Sequence, residues 1–212
     1  MKKFVVVFLD FEATGLYQAA DIVEIGAVAE SGPTFNVYLA TTEKFTKSAA
    51  EVTGMSVDSN NRLLKNGCPL DTVDRKEGFE RFFKFLEGLN NSSGTKKLVL
   101  ATHGARCFDM PLFKANLKKL DMAMWHRFDK LVFRFCDTLV FARTARNRLG
   151  LNSLSLRNIA NTLDLSYEDG QHGALSDAQL TKRVAAAMGM NDSNMSHCIF
   201  NWATVYFSRD IL

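Results

Sequence analysis

The stretch FVVVFLDFEATGL, residues 4–16, sets the topology of the chain and contains its first functional motif. The apolar run Phe4–Leu9 is rich in β-branched and aromatic residues, which is typical of a short strand buried on both faces. Asp10 and Glu12 follow, and because strand side chains alternate, both should point to the same side. Two buried acids are costly unless a cation pairs with them, so the pair indicates a cation site at the strand end. Taken alone, a D-x-E pair is explained more simply by a strand end that enters solvent.

Strand and helix patterns alternate after this first strand. Ile22–Ala29 and Phe35–Ala40 have strand composition, with a turn predicted at Ser31-Gly32-Pro33, and Asn60–Val73 is the most loop-like interior stretch. Strands are also predicted at Leu98–Thr102 and Leu131–Cys136, and helices at Asp74–Leu89, Met110–Leu120, 138–146, 154–163, 174–188 and 193–207. This order predicts one α/β domain, residues 1–212, with a mixed central sheet of about five strands flanked by α-helices.

The composition is that of an ordinary globular protein: 212 residues, of which 47% are hydrophobic and 23% charged. The net charge of +3 does not identify a nucleic-acid partner. It is compatible with one, because an acidic pocket can lie within a mildly basic surface. The cysteines form no C-x-x-C pair, which argues against a zinc ribbon. Their wide spacing and the expected absence of a secretion signal favour reduced thiols in an intracellular compartment, the cytoplasm or the nucleus.

The first residues, MKKFVVVFLDFE, superficially suggest a signal peptide. The apolar run Phe4–Leu9 ends after six residues at two carboxylates, which is too short for the hydrophobic region of a signal peptide. No stretch approaches about 18 apolar residues, so we expect no membrane span.

Asp109 lies in THGARCFDMPLF, residues 102–113, between a predicted strand and a predicted helix. One interpretation is a helix N-cap, with Pro111 just inside the helix. The other is a functional acid, because strand-to-helix junctions at sheet ends also host sites. Both interpretations stay open on sequence grounds.

His172 and Asp177 lie in HGALSDAQL, residues 172–180. A helix through Asp177 can direct this carboxylate inward, with His172 on the loop that leads into the helix. The simpler alternatives are a surface or capping histidine and a first-turn acid favoured by the helix dipole. Together with Asp10, Glu12 and Asp109, however, these residues supply four acids and one imidazole. That is the inventory of a two-metal site that cleaves phosphodiesters, and carboxylate oxygens suit Mg²⁺ and Mn²⁺.

The motifs FLDFEATGL, HGARCFDMPLF and H-x-x-x-x-D resemble the three motifs of the DEDDh (DnaQ-like) 3′–5′ exonucleases. Four neighbouring segments also fit the family pattern: VEIGAVA at 23–29, EVTGMS at 51–56, CDTL at 136–139 and NSLSLRNIA at 152–160. The details DMPL and CDTL look most like the three-prime repair exonuclease branch. The resemblance runs from about Phe4 to Met188 and implies a ribonuclease H-like fold.

The resemblance also implies a mechanism. The acids Asp10, Glu12, Asp109 and Asp177 would bind two Mg²⁺ ions, for which Mn²⁺ can substitute, and His172 would be the general base. The implied reaction releases 5′-mononucleotides from the 3′ ends of DNA, with single strands preferred.

Several substrate contacts are implied as well. Glu12 is expected to contact the terminal 3′-hydroxyl, and Val52 occupies the position of a second apolar wedge. Leu16 is expected to wedge against the terminal base. The backbone of four consecutive residues should cradle that nucleotide: Ala13, Thr14, Gly15 and Leu16.

Other candidate contacts have two interpretations each. Phe11 and Phe108 can stack on bases, but core packing is the simpler explanation. His103 is either a substrate contact or a structural residue. Arg106 is a candidate phosphate contact, and so is the run Arg143, Arg146 and Arg148, for which a solvated helix face is favoured for at least two of the three.

One departure from the family pattern stands in the second motif, where His103-Gly104 replaces the usual His-Asn. The missing amide removes a polar contact near the substrate backbone. The four acids and His172 are unaffected, so we expect altered substrate preference rather than inactivity.

Two alternatives to DNA hydrolysis are kept. One is an exoribonuclease that trims RNA ends, which would differ through contacts to the 2′-hydroxyl. The other is a catalytically silent module that binds nucleic-acid ends, although such a module typically lacks one of the acids. We expect nucleic-acid 3′ ends as partner and no membrane, and membership of the repair branch would allow a homodimer.

Overall fold

The computed structural model describes residues 3–92, 94, 96–167 and 172–201. These residues form a seven-stranded mixed sheet, a three-stranded sheet and flanking helices, which confirms the predicted α/β class. The strands are β1 (Phe4–Ala13), β2 (Ile22–Ala29), β3 (Thr34–Leu39), β4 (Met55–Val57), β5 (Leu63–Lys65), β6 (Cys68–Pro69), β7 (Thr72–Val73), β8 (Lys97–Thr102), β9 (Arg134–Asp137) and β10 (Ile199–Phe200). The α-helices are α1 (Lys47–Thr53), α2 (Arg75–Ser92), α3 (Asp109–Leu120), α4 (Met122–Leu131), α5 (Thr138–Leu149), α6 (Leu156–Thr162) and α7 (Ala174–Ala187).

The large sheet has the strand order β10-β9-β8-β1-β2-β3-β7, with β1 at its centre. β1 pairs antiparallel with β2 and parallel with β8. The sheet has two strands more than the five or so predicted. The additional strands are β7 and β10 at the two edges, each two residues long and therefore too short to show a periodicity.

Side chains alternate along β1 as predicted, and they enter two separate cores. Val7, Leu9 and Phe11 join a core on one face of the sheet that is dominated by phenylalanines of α2, α3 and α4. Val6 and Phe8 join a second core, on the opposite face, which is closed by α5, α6 and α7. Each fully buried large side chain contributes about 1.5–3 kcal/mol, so these cores fix β1 from both sides.

Gly26 of β2 allows α7 to approach the sheet closely. A Cβ atom at this position would lie 2.0 Å from the backbone nitrogen of Leu175. Any larger residue would therefore push the first turn of α7 away from β2. The first turn of α7 thus sits directly over the sheet, next to the end of β1.

Two sequence predictions are wrong. Asn60–Val73 is not a loop, because β5, β6 and β7 lie within it and Leu63 is buried against Met55 and Val23. The predicted helix 193–207 is absent from its described part, where Ser196–Cys198 is a 3₁₀ turn and β10 pairs with β9. Its remainder, 202–207, lies outside the described residues.

Helices α1 and α4 were not predicted from the sequence. Among the residues described, none of the helices combines the length and apolar character of a membrane span.

Candidate active site

The carboxyl end of β1 places Asp10 and Glu12 between two neighbouring strands. Because β1 and β8 run parallel, their carboxyl ends lie side by side. On the other side, Glu12 faces Glu24 of β2 directly in the antiparallel register. Glu12 is only 7% exposed and Glu24 only 2% exposed. Two buried carboxylates in direct register repel one another unless one is protonated or a cation lies nearby.

Asp109 enters the same region from the start of α3. Its Oδ2 atom accepts a hydrogen bond of 2.6 Å from the hydroxyl of Thr102, at the end of β8. The N-cap of α3 is Phe108, so the interpretation of Asp109 as the helix cap is wrong. Asp109 is buried instead, with its carboxylate held by the strand that precedes the helix.

Asp177 lies in the first turn of α7, and His172 lies in the loop just before this helix. Nδ1 of His172 lies 2.7 Å from Oδ2 of Asp177. The other oxygen of Asp177 lies 3.9 Å from Nη2 of Arg157 on α6. Because the carboxylate accepts at Nδ1, the imidazole is held in the tautomer that leaves Nε2 with a lone pair.

These segments converge on one pocket. One ligand atom from each of Glu12, His172 and Asp177 lies within 4.8 Å of the other two. Burial raises the pKa of Asp10 and the charges of Asp109, Glu12 and Asp177 raise it further, so Asp10 and Asp109 belong to the same electrostatic cluster. The structure thus brings together all five residues that the sequence motifs single out as metal ligands or base.

Three acids of this pocket, Asp10, Glu12 and Asp109, have raised pKa values. Burial raises the pKa of Glu12 to about 8, and the charge of Glu24 acts in the same direction. Burial raises the pKa of Asp109 to about 7, although the hydrogen bond from Thr102 opposes the change. Burial, with the nearby charge of Asp109, also raises the pKa of Asp10 well above its usual value. The charge of Lys65 opposes these effects at Glu12 but does not offset them, so the pocket suits a divalent cation.

Glu24 is a member of this cluster that the sequence motifs do not assign to the site. Burial raises its pKa, whereas a hydrogen bond from the backbone N–H of Ala174 lowers it. Its Oε2 atom is buried without a hydrogen-bond partner among the described residues. An unsatisfied buried carboxylate oxygen beside Glu12 is a second sign that the donor set fits a cation. The register of β1 and β2 was the missing information, because Glu24 lies near the first motif in sequence but matches none of its catalytic positions.

The strand end continues into the loop expected to cradle a nucleotide. The hydroxyl of Thr14 donates a 2.8 Å hydrogen bond to Glu43, which also accepts from the hydroxyl of Tyr17 and the backbone N–H of Asp21. These contacts with Glu43 hold the backbone from Ala13 to Gly15 in place. Two apolar side chains are left unusually exposed at the candidate wedge positions, Leu16 at 48% and Val52 at 50%.

Two candidate substrate contacts are structural instead. Phe11 is buried and its ring stacks on that of Phe113 at 5.2 Å, so base stacking by Phe11 is wrong and core packing is confirmed. Both ring nitrogens of His103 are engaged, with the Thr138 hydroxyl at 2.9 Å and the Leu154 carbonyl at 2.8 Å. Burial lowers the pKa of His103, so this imidazole is a neutral link between segments.

The arginine candidates divide as follows. The guanidinium of Arg106 lies over the ring of Phe200, 4.8 Å from its centroid. Arg146 and Arg148 donate to the backbone carbonyls of Leu151 and Met188, so both have structural roles. The structure thus gives Arg146 and Arg148 structural partners rather than a phosphate-binding role.

Gly104, at the departure from the family pattern, adopts a φ of 95°, a region that glycine tolerates best. Its backbone N–H donates a 3.0 Å hydrogen bond to Asp137. Asp137 also caps α5 by accepting from the N–H of Leu139. The loop is therefore tied down by Asp137 rather than loosened by the glycine.

A ribonuclease H-like sheet with an acidic pocket of this composition defines the class of nucleic-acid hydrolases that depend on divalent cations. The sequence pattern of the RNase_T exonuclease family matches residues 7–185. The chain belongs to this exonuclease family, and the assignment to the DEDDh, DnaQ-like superfamily is confirmed. No curated protein sequence is significantly similar to the chain.

Solved structures of exonuclease I have the same fold. One, whose description concerns how processivity is achieved, has a TM-score of 0.70 and 13% identity, and the match covers 91% of this chain and 42% of that chain. Product-bound exonuclease I has a TM-score of 0.67 at 13% identity, with 92% and 45% covered. E. coli exonuclease I in complex with a dA16 oligonucleotide has a TM-score of 0.68 at 14% identity, with 91% and 42% covered. The chain therefore spans less than half the length of these proteins, and the likeness concerns the fold.

Proposed function

We propose that this protein is a metal-dependent 3′–5′ exonuclease that releases 5′-mononucleotides from DNA ends, with single strands preferred. The observation that carries the proposal is the convergence of Glu12, Asp177 and His172, three groups within 4.8 Å of one another that come from β1 and the start of α7. Membership of the exonuclease family and the fold shared with oligonucleotide-bound exonuclease I support it.

In this proposal, Asp10, Glu12, Asp109 and Asp177 hold two Mg²⁺ ions. When bound, these cations would supply positive charge to the scissile phosphate and to the attacking water. The raised pKa values of Glu12 and Asp109 support this assignment, because burial outweighs the opposing effects of Lys65 on Glu12 and of Thr102 on Asp109, so further positive charge would be favoured there.

His172 is the proposed general base. Its Nδ1 is engaged by Asp177, so the proton from water is accepted at Nε2. The short distance to Glu12 and Asp177 would also allow His172 to be a ligand. We prefer the role of base because the hydrogen bond to Asp177 already fixes the ring orientation and tautomer, as a positioned base requires.

The terminal nucleotide is proposed to lie on the backbone of Ala13, Thr14 and Gly15. Leu16 and Val52 would hold its base from two sides, which explains why these apolar side chains are exposed. Glu43 would keep the cradle in place through Thr14 and Tyr17. The rigid support reduces the entropy lost on binding.

A digestion panel tests the proposal. Oligonucleotides of single-stranded DNA, duplex DNA and RNA, each labelled at the 5′ end, are incubated with the protein in Mg²⁺ or EDTA, with Asp177→Ala as the inactive control. The expected result is a ladder that shortens from the 3′ end of single-stranded DNA in Mg²⁺ only. Digestion of RNA alone would favour the exoribonuclease alternative. Binding without cleavage would favour the silent end-binding module.

A further inference from the structure

Lys65 connects the small sheet with the loop that carries His172. Its Nζ atom donates a 3.0 Å hydrogen bond to the backbone carbonyl of His172. The backbone N–H of His172 points to the carbonyl of Val52 at 3.4 Å. Both backbone groups of the proposed base are therefore held by one continuous segment, Val52–Lys65, that runs from the end of α1 through β4 to β5.

This segment is rigid enough to act as a support. Lys65 pairs with Met55 in the antiparallel register of β4 and β5. Met55 and Leu63 are fully buried and pack with Val23 of the central sheet. The backbone N–H of Asn66 also donates to Gly54 at 2.8 Å, which closes the end of the hairpin. The backbone of Lys65 is thus fixed relative to β2.

The position of Lys65 also carries an electrostatic consequence. Its charge lowers the pKa of both Glu12 and Glu24, against the effect of burial. The ammonium group is therefore close enough to both acids for its charge to act on them. It contributes positive charge there while its hydrogen bond is directed at the backbone of His172 rather than at a carboxylate.

We propose that Lys65 is a positioning residue for His172, which sets the distance and direction of the imidazole relative to the acids. This inference rests on the proposed function, because it concerns the base of that reaction. Lys65 acts through a backbone carbonyl and touches no reacting atom, so it should affect turnover more than substrate affinity.

The test compares Lys65→Met, Lys65→Arg and the matched control Lys47→Met in the full chain. Lys47 is an exposed lysine of the neighbouring helix α1 that pairs only loosely with Glu51, at 3.9 Å. For Lys65→Met we expect kcat on single-stranded DNA to fall about 10–100-fold, with KM changed less than about threefold. Lys65→Arg retains a donor of sufficient reach and should restore kcat to within about fivefold of the wild type. A raised KM with unchanged kcat would overturn the proposal, since it would mark Lys65 as a phosphate contact.

A second measurement does not depend on activity. Hydrogen exchange of the fragment that contains His172 and the first turn of α7 should become about five- to tenfold faster in Lys65→Met, since one charged hydrogen bond is lost. Lys47→Met should leave this exchange unchanged. Unchanged exchange in Lys65→Met would refute the positioning role. The wild-type protein could release no nucleotides while Lys65→Met still shows the faster exchange. That result would contradict the proposed function and leave the support of the His172 loop intact.

Discussion

Glu12→Gln should stabilise the metal-free protein at and above neutral pH. Burial raises the pKa of Glu12 from 4.5 to about 8 in the folded protein, whereas the unfolded chain has the ordinary value. The folded state therefore binds this proton more tightly. The stability it contributes is fully present below about pH 4.5 and is lost as the pH rises through about 8.

The magnitude follows from the difference between the two pKa values. A tenfold change in proton affinity corresponds to about 1.4 kcal/mol, so complete ionisation of Glu12 costs at most roughly 5 kcal/mol. That is a large part of the 5–15 kcal/mol by which a typical domain is stable. Glutamine keeps the size of the side chain and removes its charge, so the variant should avoid this loss.

The assay is urea denaturation in EDTA at pH 5, 6.5 and 8. Wild type and Glu12→Gln should have similar unfolding free energies at pH 5, and the variant should be more stable by several kcal/mol at pH 8. Glu51→Gln, at an exposed position of α1, serves as the control and should change little. In Mg²⁺ at pH 8 the wild type should instead be more stable than Glu12→Gln, because the wild type binds the ion more tightly and binding stabilises the folded state. Equal stability of wild type and Glu12→Gln at pH 8 in EDTA would refute the reasoning about the uncompensated charge.

Three further substitutions test other parts of the structure. His172→Ala should lower kcat by about 10²–10⁴-fold while calorimetric Mn²⁺ binding is retained, and a loss of Mn²⁺ binding instead would make His172 a ligand. Gly26→Ala should destabilise the protein by about 3 kcal/mol or more in thermal unfolding, because its Cβ would overlap the backbone at Leu175; a melting temperature equal to that of the wild type would show that α7 can move without cost. His103→Ala should lower the unfolding free energy by about 1–3 kcal/mol, since the Leu154 carbonyl loses the imidazole as a partner and the Thr138 hydroxyl keeps only the Thr102 carbonyl, yet leave the KM for single-stranded DNA unchanged. A raised KM would restore His103 as a substrate contact.

The convergence of the acids was accessible from sequence because each lies at a recognisable boundary. Asp10 and Glu12 end an apolar strand, Asp109 follows the next strand of the parallel pair, and Asp177 opens a helix. The carboxyl ends of parallel neighbours meet at one edge of a sheet, so the motif order together with the fold class brings these groups together. Local pattern and topology agree that these acids lie at one edge of the sheet, and their roles as metal ligands stay a prediction that the family resemblance implies.

The supporting residues were not accessible in this way. Lys65 lies on β5, a three-residue strand whose partners are set by a small apolar cluster rather than by a periodic pattern. Glu24 joins the site only through the register of β1 and β2. For Phe11, core packing was the simpler expectation from sequence, but its partner Phe113 and the partners of His103, Thr138 and Leu154, are set by tertiary packing that motif spacing does not encode. β10 could not be distinguished from a helix because two residues carry no period.

The two cores explain how a pocket of repelling carboxylates can exist in the folded chain at all. The side chains of β1 that hold the strand in place, such as Leu9 and Phe8, lie in hydrophobic clusters on opposite faces of the sheet. The acids project from the end of that strand and from the first turns of α3 and α7, so they contribute little to holding these elements together. Packing therefore positions Asp109 and Asp177, and the metal-free protein should fold with Asp10, Glu12 and Asp109 protonated to a greater extent than usual. In such an arrangement divalent cations bind to a preformed site, and their removal should lower stability at high pH without abolishing the fold.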